Sequence, residues 1–183
     1  ARAIAFATKA HEGQFRKGTK RPYIVHPLEV GEIVATLTLM RRLLVQRFCM
    51  IQSRIARELH GKYWRRSFLS VWQRWWIRRA KTSQKHGLSA RVIRLSILKY
   101  APYEVRMIGL ADKLSNIRDI DRDYPVMGEE LWNRFRMKEK NTIGWYYKGL
   151  RESLREGFEQ EEAFREYSYL VDKNFGIDES SHI

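Results

Sequence analysis

The chain has 183 residues and carries 35 Lys and Arg against 21 Asp and Glu, a formal net charge of +14 at pH 7. Its single cysteine, Cys49, excludes an internal disulfide and suits a reducing compartment, so we expect a cytoplasmic protein. No run approaches the roughly 18–20 apolar residues of a transmembrane helix, which predicts no membrane partner. The length suits one domain, which we place at 1–175 with a frayed tail at 176–183.

Sparse Gly and Pro and long stretches with helical periodicity predict an all-α fold. Pro27 suits the first position of the second helix, with His26 just before it and outside the helix. In chain order the sequence predicts a helix in ARAIAFATKAHEG, a basic loop in GQFRKGTKRPY, a helix in HPLEVGEIVATL, a strongly amphipathic helix in YEVRMIGLADKLSNIRDI, one long or two shorter helices in GEELWNRFRMKEKNTIGWYYKGLRESLREGF, and a last helix in EEAFREYSYLVDKNF.

The positive charge is concentrated in one segment. Residues 41–97 carry 15 Lys and Arg and a single acid, Glu58, whereas the rest of the chain is net neutral. Four of the six tryptophans also lie in this segment. Clustered bases and aromatic rings are typical of nucleic-acid binding, so one hypothesis is a non-catalytic helical protein that binds RNA or DNA through 41–97.

Two residues in the flanking, net-neutral parts of the chain are candidate metal ligands. Asp112 falls on one helical face with Val105 and Ile108, and Asn116 follows one turn later. A carboxylate on an apolar face needs an ion pair, hydrogen bonds or a metal. Asp112 is therefore either a structural Asp with such partners or a metal ligand, and His26 by itself is either a packing histidine or a ligand.

The two motifs around these residues point to one family. AHEGQFRKGTKRPYIVHP, followed far downstream by LADKLSNIRDI, resembles the HD-domain hydrolases that cleave guanosine 3′,5′-bis(diphosphate). These include the hydrolase half of RelA/SpoT-type stringent-response enzymes and their small stand-alone relatives. The resemblance covers residues 1–38 and about 98–175 and implies an HD-type helical bundle.

The resemblance also implies a site. In that family a metal is held by the His of the HP motif, an adjacent His-Asp pair and the Asp of the ADKLxN motif. His26 and Asp112 would be metal ligands here, Asn116 would contact the nucleotide, and Arg16 and Lys17 would bind its guanine or phosphates, although GTK makes this loop one residue longer than the commonest form. A His and carboxylate set suits Mn²⁺, which would activate the water that attacks the 3′-diphosphate.

The expected His-Asp pair, and the Glu-Asp pair that follows it, are absent. Their place is taken by QRFCMIQSR, in which Cys49, Met50 and Ile51 stand at the expected spacing after His26. Phe codons end in a pyrimidine and Cys codons begin with TG, so the adjacent reading frame gives Leu; the next two codons give His or Tyr and then Asp. Our hypothesis is that residues about 39–97 are a shifted-frame translation and pack poorly, since their apolar pattern was not selected for this core.

The sequence thus favours an HD phosphohydrolase lineage with a nucleotide substrate. We expect little or no turnover from the chain as it stands, because it supplies two of the four expected ligands. The basic segment 41–97 would then bind nucleic acid only nonspecifically. A degenerate relative kept for protein–protein contacts is a third hypothesis, which no residue favours or opposes.

Overall fold

A computed structural model describes residues 2–37 and 88–176, and these residues form an all-α protein, as predicted. The described residues contain no β-strand; a single isolated bridge joins Phe15 to Pro22. The helices are α1 (Arg2–Ala10), α2 (Val25–Leu37), α3 (Leu88–Lys99), α4 (Tyr103–Met127), a 3₁₀ helix (Gly128–Arg134), α5 (Lys140–Arg155) and α6 (Glu162–Phe175).

The chain divides into two compact units, residues 1–94 and 95–183, and each is described by itself. One domain over 1–175 stays a prediction. The predicted anomalous segment 39–97 lies outside the described residues except for 88–97, which are helical. The predicted tail 176–183 also lies outside them, apart from Gly176.

In the first unit, α2 begins earlier than predicted. The helix starts at Val25, so His26 lies inside its first turn and Pro27 follows it within the helix, which corrects the predicted start. Proline fits there because the first turn of a helix has no backbone acceptors for its N–H groups, so the missing donor costs nothing. The shift matters because His26 is held by helical backbone rather than by a loop.

The second unit is built around α4. Its nine buried residues recur at spacings that place them all around the helix, so α4 is a central helix rather than the strongly amphipathic one predicted. Helix α6 packs against both α4 and α5. The largest side chains with less than 2% exposure form the middle of this core, namely Met107, Leu110, Leu114, Ile117, Leu131, Ile143, Leu150, Leu154, Phe158 and Tyr167.

The helices of the second unit are also joined by polar contacts. Arg118 of α4 donates two hydrogen bonds to Glu166 of α6, at 2.6 and 2.5 Å. Arg151 of α5 donates to Asp172 of α6 at 2.6 Å. The Tyr167 hydroxyl donates to the backbone carbonyl of Tyr147 at 2.9 Å, and burial raises the pKa of this phenol well above its ordinary value. These contacts set the register of α6 against its two neighbours.

The predicted helical stretch after α4 is broken. Pro125 lies in the last turn of α4, and Gly128 has a φ of +56°, a left-handed conformation that favours glycine. The chain then continues as the 3₁₀ helix before α5 begins at Lys140. Of the two alternatives that the sequence left open, two shorter helices form rather than one long one, and the first of them is 3₁₀.

Candidate functional site

His26, the predicted metal ligand of the first unit, is a buried side chain with 4% of its surface exposed. Its backbone N–H donates to the Tyr23 carbonyl at 3.1 Å. The His26 and Tyr23 rings meet edge to face, with their centroids 5.9 Å apart. A buried imidazole on a helix, with a ring against one side, has a restricted orientation. This arrangement suits both a packing histidine and a ligand.

A second buried histidine, His11, contacts the same tyrosine. Its ring centroid lies 4.8 Å from that of Tyr23, and its Nδ1 lies 3.0 Å from Oε1 of Gln14. Nε2 of His11 has no hydrogen-bond partner in the described part of the chain, although the residue is only 4% exposed. Sequence reasoning assigned no role to His11; the signal was its place in AHEGQ, directly before the loop.

The basic loop is a tight turn shaped by its backbone. Arg16 N–H donates to the Arg21 carbonyl and Tyr23 N–H to the Gln14 carbonyl, both at 2.8 Å. Between them, Thr19 N–H donates to the Arg16 carbonyl at 2.9 Å, and Gly18 takes a φ of +71° that few other residues adopt.

This turn decides where the predicted nucleotide-binding residues stand. Lys17 lies at the tip and is exposed, whereas Arg16 at the base is half-buried. Four bases, Arg16, Lys17, Lys20 and Arg21, fall within six residues, a density that suits a polyanion. The loop therefore has the charge density that phosphate binding needs, and contact with a nucleotide stays a prediction.

Asp112 and Asn116 lie one turn apart on α4 in the second unit. The Asn116 amide donates to the Asp112 backbone carbonyl at 2.8 Å and approaches the carboxylate Oδ2 at 3.4 Å. Lys113 Nζ lies 2.8 Å from the same Oδ2, and the Asp112 side chain is 14% exposed. The carboxylate thus has the polar partners that a half-buried Asp requires, and both readings of this residue, structural Asp or metal ligand, stay predictions.

A metal ion would need more donors than these. Within residues 2–37 and 88–176, no group of three or more His, Cys, Asp or Glu side chains is placed to hold a metal. His26 belongs to the first unit and Asp112 to the second, so their convergence on one ion stays a prediction. The expected ligand pair would fall at 49–51, outside the described residues. The donor set that is described does not fit a complete Mn²⁺ site.

Comparison with known proteins adds no relative. The chain matches no protein-family model, and no curated protein matches it. The family assignment therefore depends on the two sequence motifs.

The remaining predictions concern nucleic acid and membranes as partners. The proposed nucleic-acid segment 41–97 lies mostly outside the described residues, so that hypothesis stays a prediction. Among the helices that the structure describes, none has the length and apolar character needed to cross a bilayer.

Proposed function

We propose that this chain derives from an HD-type phosphohydrolase that removes the 3′-diphosphate of guanosine 3′,5′-bis(diphosphate), and that it lacks turnover in its present form. The observation that carries the proposal is the pair of motifs AHEGQFRKGTKRPYIVHP and LADKLSN, separated by a segment whose adjacent frame restores Leu, His or Tyr, and Asp. Such agreement at the expected spacing is specific, because the Asp codon is forced by the Met50 and Ile51 codons.

The geometry of the first unit supports this proposal in one respect. The HP-motif histidine is buried at the start of α2, and the backbone of the 14–23 loop leads directly into that helix through Tyr23. A loop with four bases beside a fixed imidazole is a reasonable arrangement for a polyphosphate substrate. The exposed tip residue Lys17 would meet the substrate first, and the half-buried Arg16 would hold it at the base of the loop.

The second unit supports the proposal in another respect. Asn116 donates to the backbone carbonyl of Asp112 from one turn away and approaches its carboxylate Oδ2, which helps to orient this side chain. In its ancestral form the site would use a bound divalent metal to activate water and neutralise phosphoryl charge. The present chain supplies two of the four donors, and we therefore assign it no catalytic step.

The first test reads the parent nucleotide sequence at residues 48–51. In the adjacent frame, the last base of the Cys49 codon and the first two bases of the Met50 codon should read CAT. The last base of the Met50 codon and the first two bases of the Ile51 codon should then read GAT. An adjacent frame with TAT in place of CAT would contradict the proposal, because a tyrosine could not complete the His-Asp pair.

The second test measures pyrophosphate release from guanosine 3′,5′-bis(diphosphate) with Mn²⁺. The chain as it stands should show no release above the protein-free rate, whereas the frame-corrected protein should be active. In the corrected protein Asp112→Asn should reduce turnover by at least about a hundredfold, the scale of loss expected for disrupted metal ligation. Glu130→Gln, a change of an exposed acid, is the matched control and should retain activity. Mn²⁺-dependent turnover by the uncorrected chain would refute the proposed loss of function.

A further inference from the structure

The second unit contains a groove along one face of α5 that the hydrolase motifs do not use. Asn141, Trp145, Lys148 and Glu152 recur at spacings of four, three and four residues and therefore share this face. Together with Lys140 and Phe175 they line a cavity of about 440 Å³, which we call the α5 groove. Its volume falls within the roughly 300–1,000 Å³ that is usual for small-molecule sites.

Aromatic rings form the walls of the α5 groove. The Phe175 ring lies directly on the backbone of α5, since a Cβ atom added at Gly144 would stand 2.9 Å from Phe175 Cδ1. Trp145 lines the groove with 42% of its surface exposed, an unusual exposure for the residue type with the largest apolar area. An exposed indole beside a second ring offers a flat surface on which another ring can stack.

The cationic side of the groove is partly preorganised. Lys140 Nζ donates to the Tyr124 hydroxyl at 3.1 Å, and it lies 4.6 Å from the centre of the Tyr124 ring and 5.9 Å from that of Trp132. An ammonium group has three N–H donors, so this contact leaves donors for a ligand. Lys148 adds a second positive charge to the lining.

The one acid in the lining has cationic partners of its own. Arg155 donates two hydrogen bonds to the Glu152 carboxylate, at 2.8 and 3.1 Å, and Arg151 approaches it at 3.3 Å. These contacts, of which the Arg155 hydrogen bond contributes most, lower the pKa of Glu152 below its ordinary value. Because the arginines balance the charge of Glu152, this acid does not cancel the positive charge that Lys140 brings to the lining.

From these walls and charges we propose that the α5 groove binds an aromatic anion, meaning a flat ring that carries a phosphate or carboxylate group. The ring stacks on Trp145, and the anionic group is held by Lys140 and Lys148. Neither half of the ligand suffices, because stacking at an exposed indole and attraction to half-buried ammonium groups are each weak alone. This site is separate from His26, Asp112 and the basic loop, and its occupancy requires no metal.

The test is calorimetric titration of the full chain in EDTA at low salt. The probes are adenosine 5′-monophosphate and nicotinate, with adenosine as the uncharged ring and inorganic phosphate as the charge without a ring. At least one of the two aromatic anions should bind about tenfold more tightly than adenosine and phosphate. The ratio between the two aromatic anions then tells whether phosphate or carboxylate is the preferred group.

Variants assign the binding to the groove. Trp145→Ala should weaken the tighter aromatic anion about tenfold, in line with the value of one stacked ring, and Lys148→Gln about threefold. Trp145→Phe retains a ring and should restore most of the affinity. Tyr169→Ala, which removes another exposed ring of the second unit, and Lys9→Gln, which removes an exposed base, are the matched controls.

Circular dichroism of each variant, compared with the unsubstituted chain, verifies that its helix content is retained. No binding of either aromatic anion by the unsubstituted chain overturns the proposal. Equal affinity for inorganic phosphate overturns it as well, because stacking would then contribute nothing. A loss with Tyr169→Ala as large as that with Trp145→Ala would place the binding outside the α5 groove.

Discussion

The basic side chains of the two described regions have different surroundings. In residues 2–37 the loop bases Lys17 and Lys20 are exposed on a turn that backbone hydrogen bonds shape. In residues 95–176 two arginines, Arg118 and Arg151, lie between helices and bond to acids of α6. A basic side chain thus offers charge to solvent in one region and joins helices in the other. A net charge counted from sequence does not distinguish these two uses.

The comparison predicts that losing a base is costly in the second region and harmless to stability in the first. Arg151→Gln should lower the free energy of unfolding by about 2 kcal/mol, because it removes a charge-assisted hydrogen bond and leaves Asp172 without this arginine. Lys17→Gln should change it by no more than about 0.5 kcal/mol, as is usual for an exposed position. Urea unfolding measures both free energies. Equal losses of stability in the two variants would contradict the proposed difference between the regions.

Packing between α5 and α6 gives a second, smaller difference. Gly144→Ala should destabilise by about 1 kcal/mol, because the new Cβ would stand 3.0 Å from Phe175 Cβ, an atom fixed to the backbone of α6. Better helix propensity offsets part of this strain. Gly149→Ala should be close to neutral, since the atom in its way is Cδ1 of Leu95, the end of a flexible side chain. Thermal unfolding compares the two variants; a larger loss for Gly149→Ala would show that α3, not α6, limits this packing.

The smallest predicted effect concerns pH and the Glu152 cluster. The pKa of Glu152 is lowered in the folded chain, mainly by its hydrogen bond with Arg155, so its contribution to stability is present above the unfolded value of 4.5. That contribution is lost as the pH falls through the lower folded pKa. Glu152→Gln should therefore be slightly less stable than the unsubstituted chain at pH 6, and the difference should shrink below pH 4.5. A difference that grows on acidification would contradict the charge assignment.

The fold class and most of the helices were predictable from the sequence because they depend on local periodicity. The helices containing RAIAFATKA, VGEIVATL, LADKLSN and EYSYLVDKNF all form where the apolar spacing placed them. One boundary was wrong for a local reason: α2 begins at Val25, so His26 and Pro27 lie inside its first turn, where proline is tolerated. The strong amphipathicity predicted for α4 was wrong for a tertiary reason, since a helix with neighbours on every side is buried all around.

The candidate site was predictable in part. His26, Asp112, Arg16, Lys17 and Asn116 were named from motifs, and the structure shows His26 buried and Asn116 bonded to Asp112. Neither His11 nor the α5 groove could be found this way. His11 approaches Tyr23 across a loop, and the groove exists because Phe175, distant in sequence, lies on the glycine backbone of α5.

Sequence alone determined the all-α class, the uneven distribution of charge and the two motifs, because each is a property of residue types at short spacing. Tertiary structure decided which side chains are exposed, which arginines pair with acids, and where a cavity remains. Those outcomes depend on helix faces that meet only after folding: the partners Arg151 and Asp172 lie on different helices, and Trp145 keeps 42% of its surface because no described helix covers it. Sequence patterns that span a few residues do not show which helix faces will pack against each other.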